Sequence, residues 1–193
     1  MTEWAKKRQG RTFCRKGRPL SLVQVNIGSR SGPNHDAALN RAWSIQADII
    51  MIQEPWTALM DGKRKTKTHP RYDTFCPVED WSEARPRVIT YVRKHPALEA
   101  EQLRPYSSPD ICWVTVNGIT ICNVYRDARG DDHVLSYLEN WEPRGRTVIG
   151  GDFNAVNWMW QPEHRPHNGP GSRIADWVLK HELGPQRTNK GTQ

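Results

Sequence analysis

Residues 48–53, Asp-Ile-Ile-Met-Ile-Gln, constrain the fold more than any other stretch: the run is apolar without alternation, the pattern of a buried strand. Pro55 cannot donate to a ladder, so the strand stops there and leaves Glu54 at its carboxyl end. Residues 147–151 repeat the design, stopping at Gly150-Gly151 and presenting Asp152 and Asn154. Period 2 along an extended segment puts those two on one side and Phe153 on the other. A third strand, residues 20–27, carries Asn26 at its end, just before Gly28. Open α/β sheets place their chemistry outside strand ends, where glycine lets backbone or ligand come close.

The intervening sequence supplies the other elements of one α/β domain. A chain of 193 residues is long enough for a single core and too short to need two. Residues 35–46 read as a helix with Ala38, Ala42 and Ile45 on its apolar face. Residues 72–77, 87–92 and 98–103 read as short antiparallel strands. Val116-Asn117-Gly118-Ile119 is the signal for a two-residue hairpin turn joining Ile111–Val116 to Ile119–Tyr125. That register sets Trp113 opposite Cys122 and Cys112 opposite Asn123, so Cys112 and Cys122 point to opposite faces. The four cysteines have no C-x-x-C spacing and read as reduced, buried apolar residues. Residues 131–141 form a helix with Val134, Leu135, Leu138 and Trp141 inward, and residues 173–181 a last one with Ile174, Trp177 and Val178 inward.

The net charge of +7 is unevenly placed: residues 1–20 hold seven Lys or Arg and one Glu. Residues 1–19 therefore read as a basic arm ahead of a domain at 20–193. Lys63, Arg64, Lys65, Lys67 and Arg71 make a second basic cluster in a loop. Two basic segments on a slightly acidic body suit a polyanion partner, because each phosphate contact releases counterions. The alternative is a solubilising tail and a solvated loop. No apolar run reaches the length of a membrane span, and the arm lacks the apolar core of a signal peptide, so the expected location is nuclear or cytoplasmic.

The strand ends collect Asn26, Glu54, Tyr125, Asp152 and Asn154. Mg2+ is usually held by one or two carboxylates plus water and substrate phosphate, and Glu54 suits that role. Asp152 could orient or deprotonate a water, Asn154 and Asn26 could hold it and the phosphate oxygens, and Tyr125 could hydrogen-bond the charge developing on phosphorus. That kit hydrolyses phosphoesters and needs no small-molecule cofactor. Each residue also has a plainer role: Asn26 as a loop cap, Tyr125 as a core ring, Glu54 as a solvated turn residue. Asp132-His133 reads as a helix start, and Trp158 and Trp160 as core or rim packing with base stacking the alternative.

Five ordered words carry a resemblance: Gln24-Val25-Asn26, Ile52-Gln53-Glu54-Pro55-Trp56, Arg85-Pro86-Arg87-Val88-Ile89-Thr90-Tyr91-Val92-Arg93, Asn123-Val124-Tyr125-Arg126 and Gly150-Gly151-Asp152-Phe153-Asn154-Ala155. Over roughly residues 20 to 190 the chain resembles the endonuclease/exonuclease/phosphatase superfamily, and within it the apurinic-type endonuclease domain of fungal non-LTR retrotransposons. The resemblance implies a four-layer α/β sandwich of two mostly antiparallel sheets flanked by helices. It implies a magnesium-dependent endonuclease that nicks DNA to prime reverse transcription, as part of a polyprotein with a downstream reverse transcriptase. Asn26 and Glu54 would fall on the metal side, Tyr125 on the phosphate, and Asp152 with Asn154 on the nucleophile. Lys63, Arg64, Lys65, Lys67 and Arg126 would contact nucleic acid.

The family completes its site with a Ser-x-Ile-Asp strand and a final Ser-Asp-His, and neither occurs in this sequence. The domain is therefore expected to lack its last strands, whether as a fragment or a decayed copy, to expose two sheet edges, and to have little or no nuclease activity alone. Two other functions fit the same residues: a phosphatase or phosphodiesterase acting on a small phosphoester, and a non-catalytic nucleic-acid-binding remnant.

Overall fold

The computed structural model describes residues 14–15, 18–79, 81, 84–129, 132–163 and 169–184. Most of the basic arm, residues 1–13, lies outside them, while Cys14–Arg15 (β1) and Arg18–Pro19 (β2) pair antiparallel.

The continuous apolar run is strand β4, Ile49–Gln53, every residue of which is buried. It lies inside a four-stranded sheet, parallel to β3 (Leu22–Asn26) on one side and antiparallel to β8 (Val88–Arg93) on the other, with β7 (Tyr72–Phe75) beyond β8. The second sheet repeats the plan. Here β11 (Ile119–Tyr125) runs parallel to β12 (Arg146–Asp152) and antiparallel to β10 (Ile111–Val116), with β9 (Ala100–Leu103) beyond. Among the described residues β3 and β12 are sheet edges.

Ile49, Met51, Val88 and Val92 of the first sheet meet Cys112, Val114, Val116 and Ile121 of the second in a dry layer. The outer face of the first sheet is covered by helix α1, Gly32–Ser44, through Leu39 and Ala42. The outer face of the second is covered by α2 (His133–Asn140) and α3 (Pro170–Lys180), through Val134, Leu138 and Trp177. The result is the expected four-layer sandwich, helix on sheet on sheet on helix. The hairpin register is also as expected, with Trp113 facing Cys122 and Cys112 facing Asn123. Cys112 accordingly lies between the sheets and Cys122 under the outer helices.

Three elements depart from the sequence reading. Helix α1 starts three residues early, because Ser31 caps it by accepting from Asn34 N (3.3 Å) and Pro33 suits the first turn. Its buried face is His35, Leu39 and Ala42, and Ile45 is half exposed beyond its end. Helix α3 likewise begins at Pro170. The basic loop is a hairpin, β5 (Thr57–Met60) against β6 (Lys63–Thr66), turned by Asp61 and Gly62 at φ 52° and 69°.

His35 is fully buried and ties α1 to the root of that hairpin. Its Nδ1 accepts from Trp56 N (3.2 Å) and its Nε2 lies 2.8 Å from the Tyr91 hydroxyl, which donates to Lys67 O (2.8 Å). Accepting at Nδ1 requires the neutral ring, and burial pulls the imidazole pKa down to about 4. A lowered histidine pKa contributes stability that is complete above the unfolded value of 6.5 and is lost as pH falls toward 4. The wild type should therefore lose about 3 kcal/mol more than His35→Gln across that window. Urea melts of both proteins at stepped pH measure the difference, and parallel curves would show that His35 does not titrate there.

Candidate active site

Both parallel pairs bring carboxyl ends side by side, with Asn26 in register with Gln53 and Tyr125 with Asp152. Because the sheets face each other, the four ends converge. The Asn26 amide donates to Glu54 Oε1 (3.2 Å) and Asp152 Oδ2 (2.8 Å). Its Oδ1 accepts from Gly28 N (2.9 Å), so Asn26 caps its loop and bridges two carboxylates at once. Glu54 takes a second bond at Oε2 from Ser29 N (2.8 Å), and Asp152 Oδ1 accepts from Asn154 N (3.0 Å). The Tyr125 hydroxyl is close enough to feel Glu54: its pKa is raised by burial first and then by the Glu54 and Asp127 charges. The structure thus brings all five strand-end residues together.

Backbone geometry holds this arrangement. Glu54 sits at φ 52° and Asn154 at φ 43°, conformations that cost a non-glycine residue on the order of 1–3 kcal/mol. Glu54 is fixed there by its N–H on Arg87 O (2.9 Å), and Asn154 by its amide on Arg126 O (2.7 Å). Gly151 has φ 149°, and a Cβ on it would lie 1.8 Å from the Val124 carbonyl oxygen of the neighbouring strand. Gly150 faces the end of the Met51 side chain, whose Cε would be 2.5 Å from an added Cβ, with Gln24 Oε1 at 3.8 Å. Gly151→Ala should therefore cost more than about 3 kcal/mol, with Gly150→Ala milder because a methionine tip can turn aside. Thermal melts of the two variants give the order, and equal losses would contradict it.

Behind the carboxylates runs a polar chain absent from the sequence reading. Gln24 Nε2 donates to Gly151 O (2.9 Å) and Gln53 Oε1 (3.3 Å), and Gln53 Nε2 donates to Asn123 Oδ1 (2.6 Å). The Asn123 amide then reaches across to Ile89 O (3.0 Å), Ile52 O (3.3 Å) and Thr90 Oγ1 (3.3 Å) on the opposite sheet. Gln53 and Asn123 are fully buried. Arg87 is also new as a site neighbour: its guanidinium lies 5.4 Å from the Tyr125 ring centroid, paired with buried Asp110 (2.6 Å at Nη2) and with Asp127 (2.9 Å). Asp110 in turn lies 2.9 Å from His133 Nε2. The readable signal was a polar side chain interrupting an apolar strand, as at Gln53 and Asn123.

The expected nucleic-acid contacts separate. Lys63, Arg64 and Lys65 are exposed on β6. Lys67 is instead bound into the surface, with Nζ 2.6 Å from Asp36 and 5.3 Å from the centre of the Trp56 ring. Arg126 does not meet the expectation of a contact facing solvent: it is 5 % exposed, clamped to Asp132 (2.5 Å) and to Asn154 O (3.2 Å). It stands behind the site and shapes the Asn154 turn. Asp132 opens α2, as read from the sequence, and also takes Arg173 (3.3 Å). Trp160 Nε1 bonds Ala155 O (2.9 Å), whereas Trp158 is 53 % exposed.

Glu54 and Asp152 converge on one amide, and among the described residues neither has a Lys, Arg or His ion-pair partner. Two oxygen donors of uncompensated charge fit a hard cation that completes its shell with water and substrate. Among the described residues there is no cluster of three or more His, Cys, Asp or Glu that could hold a metal ion by protein ligands alone.

The fold defines a class, a four-layer α/β sandwich that resembles an endonuclease fold. Among solved structures the chain is similar to the endonuclease domain of TRAS1, a telomere-specific non-LTR retrotransposon, with TM-score 0.65 and 19% identity over 84% of this chain and 71% of that one. It is also similar to a humanized D. rerio TDP2 bearing 14 mutations, with TM-score 0.44 and 15% identity over 74% and 65%. No protein-family model and no curated protein matches the sequence.

Proposed function

We propose that the chain is a magnesium-dependent endonuclease that hydrolyses DNA phosphodiester bonds, and that it serves a retrotransposon polyprotein by nicking the target for reverse transcription. The single observation that supports this best is the sharing of the Asn26 amide by Glu54 and Asp152 at the ends of strands from both sheets. The likeness in fold to the TRAS1 endonuclease domain supports DNA as the substrate.

Glu54, steadied by the Asn26 amide, would hold Mg2+, which when bound would polarise a phosphoryl oxygen and lower the pKa of bound water. Asp152 Oδ2 is pinned by Asn26 and Oδ1 by Asn154 N, so the carboxylate is aimed before substrate arrives. From there it accepts the proton of the attacking water as the water oxygen bonds to phosphorus and the P–O bond to the leaving sugar oxygen breaks. Asn154 spends its amide on Arg126 O, which leaves its Oδ1 to accept a hydrogen bond from that water. Tyr125 keeps its proton, because its pKa is raised, and can donate to the charge gathering on the phosphate. Among the described residues no Lys, Arg or His contacts Glu54 or Asp152 from the substrate side, so turnover is expected to be slow.

Purified chain should convert supercoiled plasmid slowly to the nicked circle in Mg2+ and not in EDTA. A Mg2+-induced rise in Tm that Glu54→Gln abolishes reads the ion independently of turnover. Nicking that persists in EDTA would reject the proposal, and its complete absence would leave DNA binding without chemistry as the function.

A further inference from the structure

The hairpin formed by β5 and β6 is an unusual thing for a folded domain to display. A lone two-stranded ribbon is marginal in water, and this one belongs to neither four-stranded sheet. Its root is nonetheless fastened to the body on both strands. Thr66 Oγ1 donates to Trp56 O (2.8 Å), Arg85 Nη1 donates to Thr57 O (3.0 Å), and Tyr91 donates to Lys67 O (2.8 Å). The Lys67 ion pair with Asp36 adds a fourth tie. From the root pair Thr57–Thr66 to the tip pair Met60–Lys63 the ribbon extends about 10 Å at strand rise.

What this arm presents is specific. Leu59 is 48% exposed and Met60 49%, while most of the domain's large apolar side chains are covered. Lys63, Arg64 and Lys65 stand directly across the ribbon from Met60, Leu59 and Ala58, exposed and with no carboxylate partner among the described residues. Alternation puts Leu59 with Arg64 on one face and Met60 with Lys63 on the other, so each face of the tip pairs one apolar side chain with one cation. A solubilising loop would carry the charges without the apolar residues, and a protein-docking patch would carry the apolar residues without three uncompensated cations.

We propose that this hairpin is an arm that enters a groove of duplex DNA, with Lys63, Arg64 and Lys65 on the phosphates and Leu59 and Met60 against base or sugar edges. The proposal rests on the nuclease reading for its partner and adds the element that grips it. The major groove, about 12 Å wide, admits a two-stranded ribbon, and apolar tips on such arms contact bases that charged residues alone do not reach. The arm leaves the chain three residues after Glu54, at Thr57.

Binding in EDTA, where no cleavage is expected, tests the arm apart from the chemistry. The full chain is titrated against a fluorescein-labelled duplex of 20 base pairs by anisotropy across a salt series. The triple variant Lys63→Gln, Arg64→Gln, Lys65→Gln should reduce the slope of log affinity against log salt by roughly 2 to 3, the loss of about three phosphate contacts. The double variant Leu59→Ser, Met60→Ser should keep the slope and bind roughly tenfold more weakly, the effect of losing apolar base contacts worth about 1.4 kcal/mol. Unchanged affinity and slope in both variants, or no binding by the wild type, would overturn the arm. If the variants behave as expected while the wild type nicks no DNA in Mg2+, the arm stands and the nuclease reading falls. Normal nicking beside unaltered binding in the variants would do the reverse.

Discussion

Asp152→Ala is expected to slow Mg2+-dependent plasmid nicking by roughly 10²–10⁴-fold, the usual contribution of a positioned general base. The size follows from how fully the carboxylate is prepared: one oxygen on the Asn26 amide at 2.8 Å, the other on Asn154 N at 3.0 Å, at the end of a strand with no slack at Gly151. Glu54→Gln should be comparably damaging for a different reason. It removes the charge of the metal-side carboxylate, so the Mg2+ concentration needed for half-maximal rate should rise severalfold or more, whereas Asp152→Ala, on the nucleophile side, should act mainly on the maximal rate. The Mg2+ dependence of the nicking rate therefore separates the two roles. An Asp152→Ala protein that nicks at the wild-type rate would mean that contaminating nuclease or another site carries the reaction. If the two variants gave the same Mg2+ dependence, the division between metal side and nucleophile side would be wrong.

The strand ends were legible because the sequence marks them with abrupt changes: apolar Ile-Ile-Met-Ile followed by Gln-Glu-Pro, and Val-Ile followed by Gly-Gly-Asp. Period and punctuation alone gave four of the converging ends, and the Asn117-Gly118 turn gave the register of the central hairpin to the residue. Charge misled in two places. Lys-Arg-Lys at 63–65 shows no alternation, so the Asp61-Gly62 turn beside it, as good a hairpin signal as Asn117-Gly118, passed as part of a loop. Arg126, beside Tyr125, read as a DNA contact, yet Asp132 lies six residues on and at 2.5 Å holds it inside. That pairing comes from the turn into α2, which no local pattern encodes. His35 is the opposite case: a polar side chain on a helix face gives no sign of core, yet burial and a neutral ring make it one.

Asn123→Leu is expected to destabilise the fold by about 2–4 kcal/mol although it adds apolar volume between the sheets, because it strands buried donors and acceptors. Asn123 accepts from Gln53 at 2.6 Å and donates to groups on two strands of the facing sheet, and both side chains are wholly buried. Losing it leaves the Gln53 amide without an acceptor in a site closed to water, and that group alone costs about 1–3 kcal/mol. A structural role confined to packing makes a second, stricter expectation. Replacing both partners, Gln53→Leu with Asn123→Leu, should recover much of the lost stability, since an apolar pair of similar shape removes the unpaired groups together. Recovery of the nicking rate should not accompany it. Gln53 immediately precedes Glu54, and through Gln24 it is tied to the carbonyl of Gly151 next to Asp152, so the chain from sheet to sheet sets where both carboxylates stand. Urea denaturation of the two single variants and the double variant measures the coupling, and nicking by the same proteins measures the alignment. Recovery of stability and rate together would show that the polar chain merely fills space, and failure of the double variant to regain stability would show that the two side chains do not act as a pair.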